Sequence, residues 1–420
     1  MGLIVLMIDG VSADTFASER GRMPHLNALA ANGTTVERLG AEVPGTSLPG
    51  RTSILTGVPS NVSGVYGNML WDGDRFRYAA PDDVRVPTLV ARATRAGLRT
   101  ACIGMGMVRP EDATVFSRPW WVGAFVQRAR DPQPVTTEDA WQRVAGYADP
   151  SGALATAADV AGVPATFDTM PDEVAARVFA GFQGDQRVAQ WVGALATLDD
   201  GPDLIVAEFL MTDTIQHRAG YKSDLALWSV SVADALVGDV LARLRAAGRE
   251  DAFDVVVLSD HGHGPIERAL RADVILPGMR FQSEGGLLHV APRGERERLR
   301  AEAALAEHGV APYPSAHVPD DARDHLATFL APDGMAFEHD PTVEADGPVV
   351  PPVNRSSHGA RPGHPSDERF LVAAGPNVER ARIARADATA VEPTLAALLG
   401  LTASTRGRQP LLGATVLAAD

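Results

Sequence analysis

The stretch GLIVLMIDG, residues 2–10, decides the fold. Gly2 to Ile8 is an unbroken apolar run, too short for a helix and without the alternation of a half-exposed strand. It therefore predicts a strand buried on both faces inside a parallel sheet, closed by Asp9 and Gly10. Such a strand needs a layer above and below it, and the neighbouring sequence supplies helices. Helical spacing runs over Pro24 to Ala31, over Thr52 to Leu55 ahead of Gly57, and over Pro87 to Ala96 with proline in the first turn. Arg99–Ile103, Asp203–Leu210, Asp254–Leu258 and Arg369–Ala374 read as further strands. Helices are expected at Arg187–Leu198, Asp224–Ala247 and Val391–Leu399. This alternation predicts a doubly wound α/β domain.

Two regions depart from the pattern. Residues 110–184, with Trp120 and Trp121 side by side and an Ala/Gly/Asp-rich passage near Ala148 to Val163, read as an elaborated crossover. Residues 273–352 are rich in Pro, Arg and Glu, with short strands and one helix at Glu295–His308. The expected organisation is a core of residues 1–272 and 353–420 with a smaller α+β cap over 273–352. Both regions are expected to line the leaving-group side of a site.

Of the 420 residues 45% are apolar and 22% charged, as in an ordinary globular protein with a substantial core. The formal net charge of −15 excludes a protein built to grip a nucleic-acid polymer, which needs clustered Lys and Arg. A small anionic substrate remains open, because bound cations reverse a local field. The single cysteine, Cys102, falls in a predicted strand as a core residue and excludes both a disulfide framework and a Cys-built zinc site. No apolar run approaches the roughly 20 residues that span a bilayer, and the first residues lack the marks of a secretory signal. A cytoplasmic protein without a membrane partner is expected, and the sequons at Asn61 and Asn354 are read as chance. No motif encodes the oligomeric state, a homodimer included. The usual nucleotide cradles, GxGxxG and GxxxxGK[ST], are absent.

Chemistry concentrates elsewhere. Ser47 stands in PGTSLPGRTSILTG, residues 44–57, just before a helix start, where a serine commonly caps or turns. Asp9, Asp213 and Asp260 each stand at the C-terminal end of a predicted buried strand, the edge where open parallel sheets bind ligands. His261 follows Asp260 directly, His217 lies one helical turn beyond Asp213, and His358 sits in the loop SSHGA. Singly, a strand-end Asp can be a helix cap and an i,i+4 Asp–His pair a surface ion pair. Together they form an oxygen and nitrogen donor set suited to zinc or a similar metal.

The order Asp9, SLPGRTSILTG, YGN, DTIQH, SDHGHG, then HG ahead of a strand ending in GP resembles the alkaline phosphatase superfamily, in its nucleotide pyrophosphatase/phosphodiesterase branch. The branch pattern T-x-P-N-x-x-T-x-x-T-G is matched with Ser47 as nucleophile, Gly50 for Asn and Ser53 for the middle Thr. In the following T-G-x-x-P-x-x-H-G-x-x-x-N, Pro59 comes one place early and Ser63 replaces His. The resemblance covers most of 1–270 and 350–400. It implies a mostly parallel central sheet flanked by helices, with a cap insertion. It further implies two divalent metals, zinc or manganese, one held by Asp213, His217 and His358 and the other by Asp9, Ser47, Asp260 and His261. Ser47 would attack phosphorus and form a phosphoserine. Asn68 would donate to a non-bridging oxygen, and the substrate would be a small phosphate mono- or diester.

Several readings stay open on the residues. His364, six positions on, competes with His358 as the last ligand and is otherwise a substrate contact. Arg51 contacts substrate or is solvated, and His263 supports a ligand or packs. Ser47-Leu48-Pro49-Gly50-Arg51 also fits the (C/S)-x-P-x-R of sulfatases, although a lone Asp9 and the D-x-x-x-H element speak against that. Phosphonoacetate hydrolase-like cleavage would use the same metals. A phosphoglycerate mutase-like isomerase or a non-catalytic metal-binding protein fits the sequence less well.

Overall fold

The computed structural model describes residues 1–41, 44–122, 147–161, 174–338, 347–402 and 409–412. Parts of the expected crossover, of the cap and of the C-terminal segment lie outside them. The main sheet holds β1 (Gly2–Ile8), β2 (Thr34–Gly40), β3 (Thr100–Ile103), β4 (Val115–Ser117), β5 (Tyr147–Ala148), β6 (Leu204–Phe209), β7 (Phe253–Leu258), β8 (Arg369–Ala374), β9 (Ala381–Ile383) and β10 (Ala386–Asp387). Their order is β9-β2-β8-β7-β1-β6-β3-β4-β5, with β10 beside β2. β1 lies between β6 and β7, parallel to both, with Leu3 opposite Leu204 and Ile4 opposite Val255.

The central strand is two-faced as its composition demands. Ile4, Leu6 and Ile8 pack into one layer with Trp191, Val237 and Val240. Leu3, Val5 and Met7 pack into the other with Ile54, Leu55 and Leu395. Each such side chain contributes about 1.5–3 kcal/mol when fully buried. The helix Asp224–Ala246 meets the length and hydropathy of a bilayer span, which the sequence reading had excluded, and 56% of its apolar window is buried inside the protein.

Two features of the sheet were not foreseen. β2, with its mixed sequence TTVERLG, carries no clear strand period. β8 runs antiparallel to both β7 and β2. That reversal matters for the site, because it brings the chain preceding β8, rather than the chain following it, to the C-terminal edge of β1, β6 and β7.

The cap region forms its own small sheets. Phe281–Glu284, Leu287–Val290, Ala327–Leu330 and Ala311–Tyr313 make an antiparallel four-stranded sheet. Arg268–Arg271, ahead of the expected boundary, pairs with Met335–Glu338 and Val349–Val350. Leu270, Leu288, Leu305 and Phe329 form a separate core. Ala291, Val318 and Leu326 instead pack with Leu48, Val65 and Trp121, tying cap to main domain.

Two cap histidines are enclosed at this joint. His289 and His317 are 0% and 5% exposed, with ring centroids 5.7 Å apart. Burial pushes them down to about 3 and about 4, so both are neutral in the folded chain. The unfolded chain binds those protons from its ordinary value of 6.5 downward, so stability is intact above 6.5 and is lost as pH falls below it. Each histidine is expected to remove about 1.4 kcal/mol by about pH 5.5. His317→Gln should shrink the fall in Tm between neutral and mildly acidic pH; an undiminished fall would refute the assignment.

Candidate active site

The helix carrying Ser47, α1 (Ser47–Thr56), begins at the serine itself. Thr46 holds the cap position, without a side-chain cap bond, so Ser47 is neither cap nor free turn but the first helical residue. Pro49 is tolerated there because first-turn N–H groups have no helical partner. Gly50 allows the close approach to β7: a Cβ there would stand 2.3 Å from the Asp260 carbonyl oxygen. Ser47 Oγ lies 3.0 Å from His261 Nε2.

Around that hydroxyl the strand ends converge. His261 Nε2 is 3.1 Å from Asp9 Oδ1 and 3.7 Å from Asp260 Oδ2. Asp260 Oδ1 accepts from the backbone N–H groups of Gly10 and His261, which leaves Oδ2 turned inward. Asp213 and His217 sit on α2 (Met211–Ala219), with His217 Nε2 at 3.4 Å from Asp213 Oδ1. His217 Nδ1–H donates to the Ser356 carbonyl and His261 Nδ1–H to that of Gly262, freeing both Nε2 atoms toward the cluster. The His358 ring is 4.4 Å from that of His261 and 5.1 Å from that of His217. Asp213, His261 and His358 form one set of closely spaced donors. Asp213, His217 and His263 form another, and Asp9, Asp260 and His261 a third.

His364 stands apart. It faces Asp333 at 3.7 Å and accepts from the Ser366 N–H. His263 has both nitrogens engaged: Nε2–H donates to Asp213 Oδ1 at 2.7 Å, and Nδ1 accepts from Ser356 Oγ at 2.6 Å. It thereby holds the Asp213 carboxylate in place.

Arg51 corrects the expectation of a solvated side chain. It is 2% exposed on the floor of the site, with Nη2 at 2.5 Å from Asp9 Oδ2 and 2.7 Å from Glu208 Oε1. Glu208 also accepts from Trp121 Nε1–H at 3.2 Å. Sequence reasoning passed over Glu208, although a single acid in the otherwise apolar run LIVAEF is a signal of this kind. Asp185, also passed over, accepts from the N–H groups of Leu210 and Met211 and so fixes the start of α2.

The electrostatics ask for cations. Burial, reinforced by Asp260, holds the Asp9 carboxyl well above its usual range. Against the effect of burial, Asp260 and Asp9 push His261 up to about 10, so an imidazolium stands among the carboxylates where a metal cation could. Burial also opposes ionisation of Asp213, but His217 and His263 hold it well below the usual range. Asp260 Oδ2 and His358 Nδ1 are buried without a hydrogen bond, and Asp9 Oδ1 has only His261 Nε2 beside it. Carboxylate oxygens so placed beside free imidazole nitrogens fit a divalent metal, which would satisfy them together.

A cavity of about 260 Å³ opens above this floor, lined by Ser47, Leu48, Asn68, Tyr78, Trp121, Leu210, Arg218 and Asn354 among others. Of the two regions expected to line it, the crossover contributes Trp121. The described residues of 273–352 contribute none. Asn68 has its amide oriented: Oδ1 accepts from the Leu48 N–H at 2.8 Å, which turns Nδ2, a donor, to the open side.

The sheet, its edge of aspartates and histidines and the hydroxyl at a helix start define a hydrolase of the alkaline phosphatase superfamily. The chain belongs to the type I phosphodiesterase/nucleotide pyrophosphatase family, whose model matches residues 3–347. It is a phosphoric ester hydrolase. Among solved structures it is similar to murine ectonucleotide pyrophosphatase/phosphodiesterase 5, with 15% identity, TM-score 0.70 and 97% of each chain covered. The human protein of the same name gives 15% identity, TM-score 0.68 and the same coverage. An inactive variant of the murine protein in complex with AMP gives 15% identity, TM-score 0.69 and 97% of each chain.

Removing one donor at a time, Asp213→Asn and Asp260→Asn should each lower the divalent-metal content of chelator-stripped and reloaded protein, read by elemental analysis. An unchanged metal-to-protein ratio in both would exclude this cluster as a metal site.

Proposed function

We propose that the protein hydrolyses a nucleotide-like phosphodiester through a phosphoserine at Ser47. The observation that carries this reading is Ser47 Oγ, at the first residue of α1, 3.0 Å from His261 and beside donor sets drawn from three strand ends. Ser47 Oγ attacks phosphorus, forming the Ser47 O–P bond as the bond to the leaving oxygen breaks. Water then attacks the same phosphorus and restores the serine. Asn68 Nδ2 donates to a non-bridging oxygen, and the N-terminus of α1 favours the negative charge of the transferred group. Two divalent ions, zinc with manganese as substitute, held by Asp213, His217 and His358 and by Asp9, Ser47, Asp260 and His261, would supply charge that acidifies the Ser47 hydroxyl and offsets that of the phosphate. Arg51 stays below, holding Asp9 and Glu208.

Substrate class is read from the cavity. Tyr78, Trp121, Leu48 and Leu210 offer flat and apolar surface, and Arg218 and Asn354 offer polar contacts beside it. A phosphodiester whose leaving group or ester arm carries an aromatic base suits that lining, and the AMP complex of the similar murine variant supports the choice. Family membership favours phosphate over the sulfate esters that the Ser-Leu-Pro-Gly-Arg stretch also suits.

Bis-p-nitrophenyl phosphate and a nucleotide diester should be cleaved by zinc-loaded protein, and p-nitrophenyl sulfate should not. Ser47→Ala should abolish turnover and Asn68→Ala should lower kcat roughly 10² to 10³-fold, the loss seen for a single oxyanion donor. Full activity in Ser47→Ala would refute the phosphoserine route.

A further inference from the structure

Glu284 is the last residue of the cap strand Phe281–Glu284, yet it points away from the cap core. Its carboxylate is 6% exposed and accepts two backbone N–H groups of the main domain, from Asn68 at 2.7 Å and Met69 at 2.8 Å. The fit is close: a Cβ on Gly67 would stand 2.7 Å from Glu284 Oε1. The hairpin turn that follows is seated on the loop bearing His358. Gly286 N–H donates to the His358 carbonyl at 2.9 Å. Gly285 has φ +66°, and a Cβ there would meet that same oxygen at 2.3 Å. The next residue of the loop, Gly359, donates to the Gly45 carbonyl, two residues before Ser47.

The cap therefore touches the reacting groups from behind. Leu48 N–H sets the direction of the Asn68 amide, and Glu284 sets where the Asn68 backbone stands. We propose that Glu284 is a positioning residue, which holds Asn68 for its contact with the transferred phosphoryl group and makes the cap part of the catalytic apparatus rather than a lid on the leaving group. This rests on the phosphoesterase reading above. A carboxylate suits the position because it offers two acceptors and no donor, matching two adjacent N–H groups. Glutamine keeps the shape but turns an NH2 toward one of them.

Two measurements test the proposal. Hydrogen exchange of the peptide spanning residues 65–71 should be slow in the wild type and at least about tenfold faster in Glu284→Gln, since one of the two N–H groups loses its acceptor and meets a donor instead. That arm reads the clamp whether or not the protein turns over a substrate; unchanged exchange would overturn it. The second arm is a double-mutant cycle with bis-p-nitrophenyl phosphate. Glu284→Gln alone should lower kcat roughly 10- to 100-fold with metal content unchanged, the scale expected of a misplaced contact. In the Asn68→Ala background it should cost no more than about twofold. A loss of equal size in both backgrounds would overturn the route through Asn68 and leave Glu284 a general stabiliser of the cap. A wild type inactive on every phosphoester would instead refute the phosphoesterase reading, and the positioning role with it.

Discussion

Everything at the catalytic edge answers to one constraint, the convergence of buried carboxylates. Asp9, Glu208 and Asp260 are each 2% exposed or less, and the guanidinium of Arg51 lies among all three. One cation does not balance three anions in a medium where an unpaired ion is costly. The charge is relieved by the raised pKa of Asp9, which favours its neutral form, and by further positive charge, which His261 supplies in the protein alone and a metal would supply in its place. Gly50, which admits α1 to the carbonyl of Asp260, and His263, which fixes Asp213, are consequences of bringing that charge together.

Because α1 must approach β7 so closely, the serine at its start has little freedom of its own. Its position follows from backbone packing rather than from a side-chain cap. Asn68 is held in the same manner, by an N–H from α1 on one side and a carboxylate from the cap on the other. The site is thus assembled from three strand ends, the loop bearing His358, one helix start and the tip of an inserted hairpin, and none of these carries it alone.

Much of this was legible in the chain. The apolar run of Gly2–Ile8 announced a strand buried on both faces, and the acids just past β1, β6 and β7 announced a ligand edge, because parallel strands present their C-terminal ends together. Arg51 was misread because an arginine in a polar turn looks solvated until its carboxylate partners, 42 and 157 residues away, are known. The cap was expected over the leaving group. Its short strands and single helix indicated a separate α+β unit, but no local pattern indicates which face of a main domain such a unit will rest on.

By itself the sequence determined the donor types, their sites at strand ends and the hydroxyl beside a helix start, since hydrophobic period and residue chemistry are local properties. Only the tertiary structure decided which donors meet. The antiparallel course of β8 delivers His358 to the cluster while His364 stays with Asp333. The Gly-Gly turn after Glu284 brings a cap carboxylate to the backbone of Asn68, 216 residues away. Contacts of that separation depend on strand direction and on close backbone approach, which the side-chain pattern of either segment alone does not record.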